Sequence, residues 1–473
     1  MMKGYYLTKI IVPVLTILIL SGWGGILLDT KLCQASHNFT IEEEKKLGER
    51  FKHELEKHLE LIKDPSTQKY IERIGRNIVS QLDYRPFDFN FSIYKSSDPN
   101  AFAIPAGYIY LSTGLITLAE SEAELAGVVS HEIAHVTARH IAEKIEKESK
   151  LSIGTLAAIL AGIFLGGGGK AAGAVGALSV ATAQTLSLKY TRENEEEADR
   201  LGLRYLVKAG YDGSGMITFL KKIKRHRLEA FQVPPYLLTH PGVESRIDYL
   251  DVMLKRLPQQ EKSENESERF RRIQARVIVD TWTPQNALDH FLSELRSDPE
   301  RLDLIYGLAL IHQKLKNYDE AINGFKTVLA IHPKDSEVLR DLGICYFSEG
   351  RPKDAIVALQ QSVAINEEDS TAFYYLGRVY QESGNFGQAV DAYQRAKRLN
   401  ADLVDVYYNL GVTYGRRGFL GEAHRNFGMF FRLKGKLDSA LFHFNKALEY
   451  YREDTEERRE ILKEVQEIQE KGR

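Results

Sequence analysis

One repeated pattern leaves this chain little freedom over its last third. Ala287, Ala321, Ala355, Ala389 and Ala423 follow one another at intervals of 34 residues, and four positions after them stand Phe291, Phe325, Leu359, Tyr393 and Phe427. A small residue one helical turn before a large apolar one, at a fixed period, describes a unit that cannot bury its apolar face alone and must stack on a copy of itself. The first helix of each unit has its own signature: Leu342-Gly343 with Tyr346, Leu376-Gly377 with Tyr380, and Leu410-Gly411 with Tyr414, while Pro299 and Pro333 close two units. Small side chains let neighbouring helices approach and aromatic ones fill the layer between, so residues 270–452 are expected to form a solenoid of helix pairs.

A 34-residue period with these residues is that of the tetratricopeptide repeat. After Ala423 the spacing halves, with Ala440, Phe444 and Ala447 following at an offset of 17, which predicts one helix serving two successive pairs. Residues 453–473 are dominated by charge and read as a solvated helical cap. Residues 258–269 have no apolar side chain after Pro258 and read as a linker to whatever precedes the solenoid.

At the other end, Lys3 and Lys9 precede an uncharged apolar run over 10–20, the layout of an export signal. Residues 1–36 are expected to be a signal peptide cleaved after Ala35, with an uncleaved membrane anchor as the alternative. Only Cys33 and Cys345 are present, so no disulfide framework is available to the exported chain. Lys and Arg total 63 against 65 for Asp and Glu, which excludes a global pull toward nucleic acid.

The intervening region, 37–257, carries mixed signals. Residues 41–82 have helical periodicity broken near Asp64-Pro65; 87–94 alternate as a strand, and Tyr108-Ile109-Tyr110-Leu111 follow a Pro105-Ala106-Gly107 turn as another. Residues 121–150 read as one helix. Two uncharged stretches over 151–188, rich in Gly and Ala, read as a hairpin or flap packed on the domain, with a transmembrane hairpin as the alternative.

The chemistry concentrates in His131-Glu132-Ile133-Ala134-His135. On a helix, residues four apart share a face, so two imidazoles reach one zinc ion while Glu132 stands beside it as general base. Zinc needs a third protein ligand. Downstream, Glu193, Glu195, Glu196, Glu197 and Asp199 form a row of carboxylates at the start of a helix. Alone it reads as an acidic, solvent-facing first turn. Glu195 and Asp199, four apart, offer one ligand and one partner for a ligating imidazole, but spacing does not choose among the row.

Together with Asn194-Glu195 before Ala198-Asp199, Leu238-Thr239-His240-Pro241 with Arg246, and Asn100-Ala101-Phe102-Ala103, these motifs resemble the metallopeptidase family of the HtpX-type membrane proteases and CAAX prenyl proteases, and within it the BepA-like periplasmic members with C-terminal tetratricopeptide repeats. The resemblance implies a mainly α chain: a zincin-type α+β metallopeptidase domain with a small sheet, then the repeat solenoid. It implies one Zn2+ held by His131, His135 and Glu195, with Asp199 as a partner behind the ligands. It also implies that His240 and Arg246 approach the metal, to stabilise an oxyanion or, for His240, to fill the open position and hold the enzyme latent. Residues Asn100, Ala101, Phe102 and Ala103 are expected to form an edge strand to which an extended substrate adds.

The expected protein is a periplasmic zinc endopeptidase acting on unfolded or misassembled envelope proteins, its repeats docking substrates or an outer-membrane assembly complex, with peripheral membrane association and no nucleic acid. The alternative is a repeat scaffold or chaperone with a latent or structural zinc site.

Overall fold

The computed structural model describes residues 40–147, 190–229, 233–257 and 264–471. The expected export segment, the hairpin of 151–188 and residues 258–263 lie outside them. The chain is mainly helical, with one three-stranded sheet near its start.

Helix α1 (Ile41–Glu56) opens on a capping box in which Thr40 and Glu43 satisfy each other's backbone N–H groups. Helix α2 (Pro65–Val79) begins where sequence places the break, because the Asp64 side chain accepts from the Thr67 N–H and Pro65 sits where no intrahelical donor is needed. Strand β1 (Asn90–Tyr94) runs parallel to β3 (Tyr108–Ser112), and β2 (Ala101–Ile104) runs antiparallel to β3, giving the order β1-β3-β2. The strand expected from residue 87 starts only at Asn90; Phe87 is buried ahead of it.

After the short helix α3 (Thr113–Leu118), α4 (Glu122–Thr137) runs through the middle of the domain with every residue from Leu125 to Val136 buried. It is therefore not an amphipathic surface helix, and its neighbours come close. On α6 (Arg192–Lys208), a Cβ at Gly202 would stand 3.1 Å from the Ser130 carbonyl oxygen, so glycine favours this close approach and a larger residue would push the helices apart by a few tenths of an ångström. The single helix expected over 121–150 is instead broken: α4 ends at Thr137, Arg139 takes a φ of 58°, and α5 (His140–Lys147) departs in a new direction. Helices α7 (Ser214–Glu229), α8 (Pro235–Thr239) and α9 (Val243–Leu254) complete the domain.

The linker expected over 258–269 is corrected. Helix α10 (Glu264–Thr281) already covers its second half, and it belongs to two cores at once. Phe270, Ile273 and Val277 pack into the first domain, Phe270 stacking on Tyr70, while Ala275, Ile278 and Val279 pack into the solenoid. Polar contacts reinforce the junction. Gln274 donates to the carbonyls of Ile116 and Ala119 at 2.8 and 2.6 Å, and Arg340 donates to Ser66 Oγ at 3.0 Å and to Asp369 at 2.8 Å. Arg276 pairs with Asp341 and lies 3.7 Å from Asp64.

From Pro284 onward, helices alternate as the period requires, and Ala287, Ala321, Ala355, Ala389 and Ala423 are all buried. The glycines of the first helices face the large residues of the second: a Cβ at Gly377 would lie 2.6 Å from the Tyr393 ring, and one at Gly411 2.7 Å from Phe427. The same relation recurs between Gly428 and Phe444, so the helix Leu420–Leu433 closes one pair and opens the next, as the halved spacing predicts. The final helix, Glu456–Lys471, is more than a solvated cap: Ile461 and Ile468, two turns apart, are buried against Ala440, Phe444 and Ala447. Gly377→Ala is expected to destabilise the protein by about 1–3 kcal/mol through overpacking. Gly387→Ala, which meets nothing within 4 Å, should be neutral or stabilising. Denaturant midpoints of the two variants check the pair. No helix among the described residues is long and apolar enough to cross a membrane.

Candidate metal centre

Three elements meet at the middle of α4. The helix itself supplies His131, Glu132 and His135, the close approach at Gly202 brings Glu195 and Asp199 of α6 alongside, and the turn after α8 adds His240. One ligand atom each from His131, His135, Glu195 and His240 lie within 4.8 Å of one another, all four side chains buried. The Nε2 atoms of His131 and His135 are 3.0 Å apart; Glu195 Oε1 is 3.3 Å from His135 Nε2 and 3.0 Å from His240 Nδ1. The carboxylate row is thereby resolved by burial: Glu195 points inward, while Glu196 and Glu197 are substantially exposed.

Behind the ligands stands a compact charged group. Asp199 Oδ1 accepts from His131 Nδ1 at 2.8 Å, and Arg246 donates to both Asp199 oxygens at 2.7 Å while its Nη1 lies 2.5 Å from Glu195 Oε2. Tyr249 adds a hydrogen bond to Asp199. Burial alone would raise the Glu195 carboxyl, but Arg246 and His240 outweigh it and hold the group well below the carboxylate range. Asp199 is lowered in the same way, against burial, by Arg246 and His131. Burial, then the neighbouring His131, pushes His135 well below its ordinary value, so this imidazole is neutral and able to ligate.

Glu132 differs from its neighbours. Both its oxygens are buried with no hydrogen-bond partner among the described residues, as is His240 Nε2, although Glu132 Oε1 and His240 Nε2 lie only 3.5 Å apart. Burial raises its carboxyl above the ordinary range against the pull of His240 and His131. Two imidazole nitrogens facing each other beside an inward carboxylate, with orphaned polar atoms around them, form a donor set that fits a divalent cation of zinc's preferences.

The structure brings the expected residues His131, His135, Glu195, His240, Asp199, Glu132 and Arg246 close to one another. Arg246 engages the site's own carboxylates through its ion pairs. Residues Asn100 to Ala103 make other contacts on the sheet that packs against α4: Asn100 bonds Tyr94 Oη and Ser112 Oγ, and Ala101, Phe102 and Ala103 are buried, Phe102 stacking on Tyr110. Strand β2 does form one edge of the sheet. Sequence reasoning passed over three contributors. Tyr190 stacks on His135 with centroids 3.8 Å apart, Tyr236 stacks on His240 at 4.5 Å, and His140 lies 2.9 Å from His135. The aromatic residues flanking each motif were their only signal.

A buried helix bearing two histidines and a carboxylate, a candidate third ligand from a second helix and a following helical solenoid are the features that known proteins can be compared with. Residues 65–254 match the family described as Peptidase family M48, and residues 300–368 and 377–418 match tetratricopeptide-repeat families. Residues 65–254 are thus similar to an M48 peptidase domain, and the segments similar to tetratricopeptide repeats follow it. Among relatives, the putative beta-barrel assembly-enhancing protease of Vibrio cholerae is 33% identical over 291 residues, 61% of this chain and 60% of that protein. The beta-barrel assembly-enhancing protease of Escherichia coli is 31% identical over 304 residues, 63% and 62% of the two chains. The metalloprotease LoiP of Escherichia coli is 26% identical over 194 residues, 39% of this chain and 71% of that one. The chain therefore spans about 60% of the length of the first two relatives it matches.

Proposed function

We propose that this chain is a zinc-dependent endopeptidase of the cell envelope that cleaves unfolded or misassembled proteins, with the repeats docking substrates or an assembly complex. The convergence of His131, His135 and Glu195 beside an unpartnered Glu132 carries this reading. The M48 match and the relatives named for beta-barrel assembly support it, and the export layout of residues 1–36 favours the periplasm.

A bound cation would polarise the scissile carbonyl and acidify a water molecule. The chain's own residues supply the rest. Glu132, raised by burial and without a hydrogen bond among the described residues, takes the proton at a carboxylate oxygen and returns it to the leaving amine. Asp199 fixes the His131 ring through Nδ1, and Arg246 balances the charge of the two carboxylates. Arg246 stays cationic because those carboxylates outweigh its burial.

His240 favours a second element of the reading, latency. Four protein groups converge where a catalytic site uses three, so His240 takes the place a substrate group needs. His240→Ala is expected to raise cleavage of an unfolded protein such as casein while zinc content stays at one per chain. Zinc bound without cleavage, in both the unchanged chain and His240→Ala, would instead favour the scaffold reading, in which the site is structural.

A further inference from the structure

The turn between α4 and α5 passes through Arg139 in the left-handed region, a conformation that a residue with a side chain holds only where its surroundings enforce it. Here the enforcement is visible: Arg139 Nε donates to Glu44 Oε2 at 2.8 Å, and Glu44 is buried. In an unbroken helix His140 would stand about 140° around the axis from His135. The turn instead brings their Nδ1 atoms to 2.9 Å, with both rings buried.

The direction of that hydrogen bond follows from its far end. His140 Nε2 lies 3.3 Å from Glu197 Oε2, and a carboxylate only accepts, so Nε2 carries the hydrogen of a neutral His140 ring. His140 Nδ1 is then the acceptor and His135 Nδ1 the donor, which leaves the lone pair of His135 Nε2 aimed at Glu195 and His131. His131 reaches the same state by donating directly to Asp199. His131 and His135 therefore each have an anchor, one a carboxylate and the other a carboxylate acting through a second imidazole.

We propose that His140, backed by Glu197, is a positioning residue that fixes the tautomer and ring orientation of His135 for cation binding, and that the Arg139 turn exists to place it. This rests on the metal-centre reading above. Hydrogen-bond partners behind metal ligands typically change affinity by roughly 10–100-fold.

The test is zinc affinity of the full chain, measured by competition with a chromophoric chelator. His140→Phe keeps an aromatic ring, though a somewhat larger one, and loses the acceptor; it is expected to weaken zinc binding by about 10–100-fold. His140→Asn, whose side-chain oxygen stands near the place of Nδ1, should recover most of that loss. Glu197→Gln should give a smaller loss, because Glu197 is 60% exposed. The visible bands of the cobalt(II)-loaded protein should shift in His140→Phe and return in His140→Asn. Equal affinity in His140→Phe and the unchanged chain overturns the proposal, as does an Asn variant no better than Phe. Should His140→Phe fail to fold, Glu197→Gln decides: an unchanged affinity overturns the relay. An unchanged chain that binds no zinc overturns the metal-centre reading and this inference together.

Discussion

Glu132→Gln is expected to lower the rate of peptide cleavage by roughly 10²–10⁴-fold while zinc content and fold remain as in the unchanged chain. The isosteric amide keeps the volume of a fully buried side chain and removes its capacity to take a proton. No hydrogen bond among the described residues is lost in the exchange, because neither Glu132 oxygen has one. A purely structural carboxylate would behave differently, since replacing it by an amide would alter stability and leave any cleavage untouched. Steady-state cleavage of an unfolded protein, alongside metal analysis and a denaturation curve, separates the cases. Full activity in the variant would remove Glu132 from the chemistry.

The second large effect concerns stability. Arg246→Met keeps the length and packing of the stem and deletes the cation between Asp199 and Glu195, both almost fully buried. Breaking a buried ion pair from one side leaves an uncompensated charge and costs about 3–5 kcal/mol, far more than an exposed pair. The denaturant midpoint of the chelator-treated protein should fall accordingly. Adding zinc should restore part of the loss, because the cation offers Glu195 a new counter-charge. A shift below about 1 kcal/mol would mean that Arg246 does not hold this group together.

Much of the molecule could be read from residue spacing because the relevant physics is local. The 34-residue period imposes the solenoid, Asp64-Pro65 writes its own helix start, and His131 and His135 share a helical face by arithmetic. Other features depend on contacts between distant segments. Nothing in the row from Glu193 to Glu197 distinguishes Glu195; its burial comes from lying on the same buried face of α6 as Asp199 and Gly202, a face that packs on the distant helix α4. The break at Arg139 depends on Glu44, 95 residues earlier, so a helix was expected to run on to 150. His140 was passed over for that reason, since on a straight helix it leaves the face of His135. The polar composition of 258–269 concealed α10, whose apolar residues begin at Phe270 and divide between two partners.

That divided helix has a thermodynamic meaning. A repeat array normally frays from either end, each unit answering only to its neighbours. Here one end is tied to a globular core through Phe270, Ile273 and Val277, whereas the helix Glu456–Lys471 packs on the last repeat residues Ala440, Phe444 and Ala447. Opening of the first unit is therefore expected to loosen Phe270 from Tyr70 and Arg276 from Asp64 at the start of α2, whereas opening of the last units is expected to leave α4 untouched.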